Sequence, residues 1–168
     1  MSEALTADQV VMNAWNRNKQ VNASLLGALT AEKLDLRDPA GGWTIGQHLC
    51  DLVDFRRGWM ETIAPEHAEK VAYLHQVLED RGFDVSTHDV QEIQQILQQA
   101  DQVSEQAVQE KLDQNSGFEK VYESHPLMFL QHAMVHDAHH RGQILMVLRM
   151  NGVAWTESDG PMWAPWRE

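Results

Sequence analysis

His132-Ala-Met-Val-His136-Asp137-Ala-His139-His140-Arg141-Gly-Gln143-Ile144 holds four of the chain's nine histidines within nine positions. In a helix turning about 100° per residue, His132, His136 and His140 are successive i, i+4 neighbours, so one face carries a ladder of imidazoles one turn apart. Two such rings reach one ion, and zinc proteases use this spacing to take two nitrogen ligands from one rigid element. The Glu that follows the first His of the protease motif is Asp137 here, so that motif is absent. The rest of the chain has to supply the remaining ligands and the walls around them.

Working outward, Ser124 with Pro126 in the first turn starts the histidine helix, and Asn151-Gly152 ends it near Met150. Leu127, Leu130, Met134, Ala138, Leu145 and Leu148 form its expected apolar arc. Phe129, His132, His136, His140 and Gln143 form a neighbouring arc at the border of the core, where bundles build sites between helices.

Upstream, Thr6-Ala-Asp-Gln9 and Thr44-Ile-Gly-Gln47 read as capping boxes opening helices over about 7 to 29 and 45 to 63, the second ended by Pro65. Asp38-Pro39 and Gly41-Gly42 make the segment between them turn material. Glu66 to Asp80 reads as a short crossover helix with Val71, Leu74, Val77 and Leu78 as its apolar positions and Arg81-Gly82 as its stop. Ser86 to Asp89 caps a Gln-rich helix reaching about Leu112, whose apolar stripe marks a solvated helix face and not a disordered tract. The fold class expected is all-α.

At 168 residues the chain most simply makes one domain, large enough to bury a core without staples, so metal is not needed merely for folding. A net charge of -12 repels phosphate backbones and anionic membrane surfaces, which sets nucleic acid and membranes aside as partners. Cys50 stands alone, and neither a secretory apolar region nor an apolar run near 18 residues is present. The expected location is cytoplasmic. The segment 153–168 crowds Trp155, Met162, Trp163 and Trp166 together, and reads either as a lid on its own bundle or as a dimer contact.

His136-Asp-Ala-His-His140-Arg-Gly-Gln resembles the His-x-x-x-His-Arg-Gly-Gln signature of the DinB/YfiT-like superfamily, and Trp43-Thr-Ile-Gly-Gln resembles the Trp-Ser-x-x-Glu start of its second helix. The resemblance covers nearly the whole chain. It implies a four-helix bundle with a long crossover connection, here containing an extra short helix, a divalent ion on three protein ligands, and a homodimer. It further implies zinc or nickel as the ion. Thiol-dependent transferases and isomerases that use low-molecular-weight thiols are among the members.

One departure concerns the third ligand. The family pattern has a His eight positions after the helix-start Trp, then Leu-x-Asp and an aromatic eight positions further on. Counting from Trp43 lands on Asp51, followed by Leu52-Val53-Asp54 and then Trp59. His48-Leu-Cys-Asp51 resembles the same piece with a shifted start, and at i, i+3 His48 and Asp51 share a face. Three sets stay open: His48 with His136 and His140, Asp51 with the same pair, or all four. Register favours Asp51, with His48 as a fourth ligand or as a base behind it. Two histidines and a carboxylate also suit iron(II).

His48 and His132 are the candidate proton acceptors for catalysis. His67, His75, His88 and His125 are expected to be solvated, Cys50 to be a small buried residue, and Arg141 to hold an acidic partner between helices. Two function classes follow. One is a metal-dependent enzyme, by resemblance a thiol transferase acting on a small electrophile ahead of a hydrolase. The other is a non-catalytic metal-binding or interaction module.

Overall fold

Thr44 caps the helix that positions one half of the site: its hydroxyl accepts from Gln47 N–H at 3.1 Å, while the Gln47 side chain accepts from Thr44 N–H at 2.8 Å. The reciprocal cap fixes the first turn of α2 (Ile45–Ile63) and with it the directions of His48 and Asp51. The same device at Thr6 and Gln9 opens α1 (Ala7–Gly27). The computed structural model describes residues 4–79, 82–153 and 157–166.

After α2 come α3 (Pro65–Ala68), a hairpin of β1 (His75–Leu78) and β2 (Gly82–Val85), α4 (Val90–Asp113) and α5 (Leu127–Met150). The long helices pack as a bundle: α2 lies against α5 and α4, and α1 lies against the same two. Trp15, Leu25, Leu49, Leu52, Met60, Leu97, Phe129, Leu130 and Leu148 fill its interior. The protein is all-α apart from the small hairpin, and α2 and α4 are joined by the long crossover. Among the described residues no helix is long and apolar enough to cross a membrane.

The crossover departs from the sequence reading. It contains the extra short helix, but that helix ends at Ala68, and the part expected to continue it turns into an antiparallel hairpin pairing His75 with Val85 and Leu78 with Gly82. Tertiary partners on α2 explain the change. Arg57 donates to the carbonyls of Ala68 and Val71, Asp54 accepts the Leu74 N–H at 2.8 Å, and the Gln47 amide donates to the Phe83 carbonyl at 2.6 Å. With these backbone groups satisfied from outside, the helical ladder loses its advantage. Val71 and Leu74 are buried as expected, whereas Val77 is 79% exposed on the hairpin.

The core-facing arc of α5 keeps Leu127, Leu130 and Leu148 as expected but departs from expectation in its middle turns. Ala138 is exposed and Met134 and Leu145 are half-buried, whereas Asp137, His140 and Arg141 are buried beside Ala133 and Ile144. The buried face of this helix carries three ionisable residues, which apolar periodicity cannot reveal. In the tail, the described residues form a 3-10 segment over Glu157–Trp166 against α1. Arg17 donates to the Pro165 carbonyl and lies 6.0 Å from the Trp166 ring centroid, and Met162 is buried. Trp155 lies outside the described residues.

Candidate metal centre

Asp51 on α2 and His136 and His140 on α5 meet where the two helices pack together. Asp51 Oδ2 lies 3.1 Å from His136 Nε2 and 2.9 Å from His140 Nε2. One donor atom from each of the three residues falls within 4.8 Å of the others. An imidazole nitrogen at such a distance from a carboxylate oxygen needs a proton or a cation between them, and one cation satisfies both contacts with both rings neutral. The donor set of two nitrogens and a carboxylate oxygen therefore fits a divalent ion, with coordination positions left open.

His48 takes a different position. Its Nδ1 is 3.0 Å from His140 Nδ1, so it touches the ring nitrogen that Asp51 does not. Burial, followed by the nearby His140 and His139 rings, pushes the His48 imidazole down to about 4, which keeps it neutral near neutral pH. Hydrogen bonds from His136 and then His140 hold the Asp51 carboxyl well below the usual carboxylate range. His136 Nδ1 is buried with no hydrogen-bond partner among the described residues.

Aromatic rings wall the site on two sides. The Phe55 ring stacks on His136 at 4.0 Å between centroids, and Trp43 stacks on His140 at 6.1 Å while meeting Phe83 edge-on. His132, one turn before His136, is exposed, lies edge-on to Phe55 and Trp59, and contacts the Tyr122 hydroxyl through Nδ1 at 2.8 Å. His132 thus sits on the same helix face as the candidate ligands but outside their cluster.

Behind the histidines lies a buried polar network that the sequence reading missed. Arg56, fully buried, donates through both Nη atoms to the Asp137 carboxylate at 2.9 and 2.8 Å and through Nε to Asp101 at 2.7 Å. Asn18 and Asn22 of α1 donate to Asp137 Oδ2 at 2.6 and 2.8 Å, and Arg141 Nη1 donates to both amide oxygens in return, at 2.7 and 2.6 Å. Burial pushes the Asp137 carboxyl up, but Arg56 and the two amides outweigh it and hold the group below its ordinary range. The network joins α1, α2, α4 and α5 through Asp137 and Arg141, the residues that follow His136 and His140 on α5. The available signal was Asn18 and Asn22 at i, i+4 in the apolar stripe of α1, matching Asp137 and Arg141 at i, i+4 on α5.

The remaining expectations divide. Cys50 is fully buried, and burial followed by the carboxylates of Asp54, Asp84 and Asp51 pushes its thiol far up, which suits an inert core residue. Arg141 meets two asparagines where an acidic partner was expected, with Asp137 as the nearby charge. His67 is buried and not solvated: its Nε2 faces Glu110 at 3.1 Å and its Nδ1 faces Glu66 at 3.3 Å. Those contacts use different edges of one ring with mostly exposed acids, the pattern of an anchored histidine. His75 is half-buried against Asp54 at 2.8 Å, while His88 and His125 are exposed.

The family model described as the DinB family matches residues 1–168. No curated protein and no solved structure matches the chain. Match, bundle and paired signatures agree: the chain belongs to the DinB family.

Proposed function

We propose that this protein binds one divalent ion, zinc or nickel before iron, through Asp51, His136 and His140, and uses it as a metal-dependent enzyme that transfers a low-molecular-weight thiol to a small electrophile. The observation that carries the reading is the Asp51 carboxylate oxygen set between two imidazole nitrogens at 3.1 and 2.9 Å. The family's association with metal binding supports it.

Bound there, the ion supplies Lewis acidity toward a sulfur or oxygen donor. The chain's own residues supply the rest. Asp51 brings a negative charge that draws the cation to neutral rings, and His48 orients His140 through the nitrogen turned away from Asp51. Phe55 and Trp43 hold the two imidazoles by stacking. Because His48 is engaged with His140, the protein donors stay at three, which favours an open reactive site over a closed structural one. In the transfer a carbon–sulfur bond forms: with a displaceable group the bond from carbon to that group breaks and the thiol proton passes to solvent, and with an unsaturated acceptor a carbon–carbon π bond opens and the proton ends on carbon. The proposed active form is a cytoplasmic homodimer.

The test is thioether formation between glutathione and monochlorobimane by protein loaded with zinc or nickel. The reading expects acceleration that tracks metal content and disappears in His136→Ala. Equal rates with loaded and metal-stripped protein across a panel of thiols would overturn the transferase assignment and leave a metal-binding module.

A further inference from the structure

The connector from α4 to α5 is built to bring Tyr122 to His132. Lys120 at φ 68° and Tyr122 at φ 56° adopt the left-handed region, which non-glycine residues enter only when surrounding contacts demand it. Those contacts are present. Phe118 is buried edge-on against Phe129, the Tyr122 ring packs 5.7 Å from the same Phe129, and Gly117 lies so close to the Glu123 backbone that no side chain fits. The result is a tyrosine hydroxyl 2.8 Å from His132 Nδ1.

The direction of that hydrogen bond follows from the strengths of the two groups: a phenol O–H is a better donor than a neutral imidazole N–H, and an imidazole lone pair is a better acceptor than a phenol oxygen, so Tyr122 donates to Nδ1. Burial, which pushes the Tyr122 phenol up to about 12, keeps the proton on oxygen. An imidazole that accepts at Nδ1 and stays neutral carries its own proton on Nε2. Burial and the neighbouring His136 lower the His132 pKa, in the same sense.

We propose that Tyr122 is a positioning residue that holds His132 as a neutral Nε2–H donor at the rim of the candidate metal centre, for a substrate bearing an oxygen acceptor beside an apolar body. This rests on the reading of the site as a reactive one, and it reverses the sequence expectation of His132 as a proton acceptor. The apolar half of the substrate class comes from Phe55 and Trp59. Both lie edge-on to His132, and Phe55 also covers His136, so a molecule reaching His132 meets aromatic surface on its way to the ligands. An α,β-unsaturated carbonyl is a substrate of this kind: sulfur adds to its β-carbon, the carbon–carbon π bond opens to place negative charge on the carbonyl oxygen, where an N–H donor stabilises it, and the thiol proton ends on the α-carbon.

Two measurements test it. Nitrogen-15 NMR of the metal-free protein is expected to find His132 as the Nε2–H tautomer. Tyr122→Phe, which keeps the ring packing, is expected to raise the His132 pKa by roughly half a unit or more, because the lost O–H donor favoured the neutral ring. An Nδ1–H tautomer, or an unmoved pKa in Tyr122→Phe, would overturn the proposal. In the glutathione assay with an unsaturated ester, His132→Gln, which retains an N–H donor, is expected to stay within a few fold of wild type while His132→Ala falls at least about 10-fold. Equal losses in the two variants would mark a base and also overturn it. A wild type with the expected NMR behaviour but no turnover would sink the transferase reading and support the tautomer assignment.

Discussion

His48 meets His140 through the Nδ1 atoms of both rings at 3.0 Å, on the edge of His140 turned away from Asp51. One imidazole therefore faces two groups with different tasks. If Asp51 is the ligand and His48 only orients His140, His48→Ala weakens ion affinity by about 10 to 100-fold while leaving the stoichiometry intact. Asp51→Asn costs more than His48→Ala. Competition titrations with a chromogenic chelator measure both, and the reverse ranking would give the ligand role to His48.

Arg56 is the most exposed to substitution energetically, because two buried carboxylates depend on it. Arg56→Met leaves Asp101 without its donor and Asp137 with only the Asn18 and Asn22 amides, and is expected to cost about 3–5 kcal/mol of stability. Urea unfolding of metal-free protein reads the loss directly; a change under about 1 kcal/mol would mean the network contributes little.

Acid should act through Asp137. Its folded-state pKa is depressed, so its contribution is fully present above the unfolded value near 3.9 and is lost as pH falls through the folded value. Asp137→Asn is therefore expected to be less stable at neutral pH and to lose less stability on acidification below about pH 4. Denaturation midpoints at a series of pH values check the slopes, and parallel curves for the two proteins would contradict the assignment.

A methyl group at Gly117 would stand 2.0 Å from the Glu123 carbonyl oxygen, and the obstacle is backbone, not a movable side chain. Gly117→Ala is expected to cost about 1–3 kcal/mol by displacing the connector. The same shift withdraws Tyr122 from His132. Thermal melting together with the His132 NMR signals tests both effects; an unchanged Tm would show that the connector relaxes freely.

Much of this protein is legible in its sequence, for definite physical reasons. The two Thr/Gln capping boxes mark helix starts chemically, and α2 begins and ends where Thr44 and Pro65 require. The i, i+4 spacing of His136 and His140 announces a shared face, and the register from Trp43 selects Asp51, the residue that the fold brings to that pair. Contacts made at a distance were hidden. The hairpin exists because α2 satisfies backbone groups in it and leading into it: Gln47 holds the Phe83 carbonyl, Asp54 the Leu74 N–H and Arg57 the Ala68 and Val71 carbonyls. The buried face of α5 was legible at Leu127, Leu130 and Leu148 but not in its middle turns, because Asp137 and Arg141 look like surface residues until Arg56, Asn18 and Asn22 surround them. His48 offers the same lesson, since its spacing from Asp51 cannot tell which edge of His140 it meets.

The most direct measurement is X-ray absorption at the metal edge of zinc- or nickel-loaded protein, paired with metal content in the His136→Ala, His140→Ala double variant. The account predicts one ion per chain with two imidazoles and a carboxylate among its ligands, and no stoichiometric ion in the double variant. Full occupancy in that variant, or a wild-type spectrum without imidazole, would contradict it.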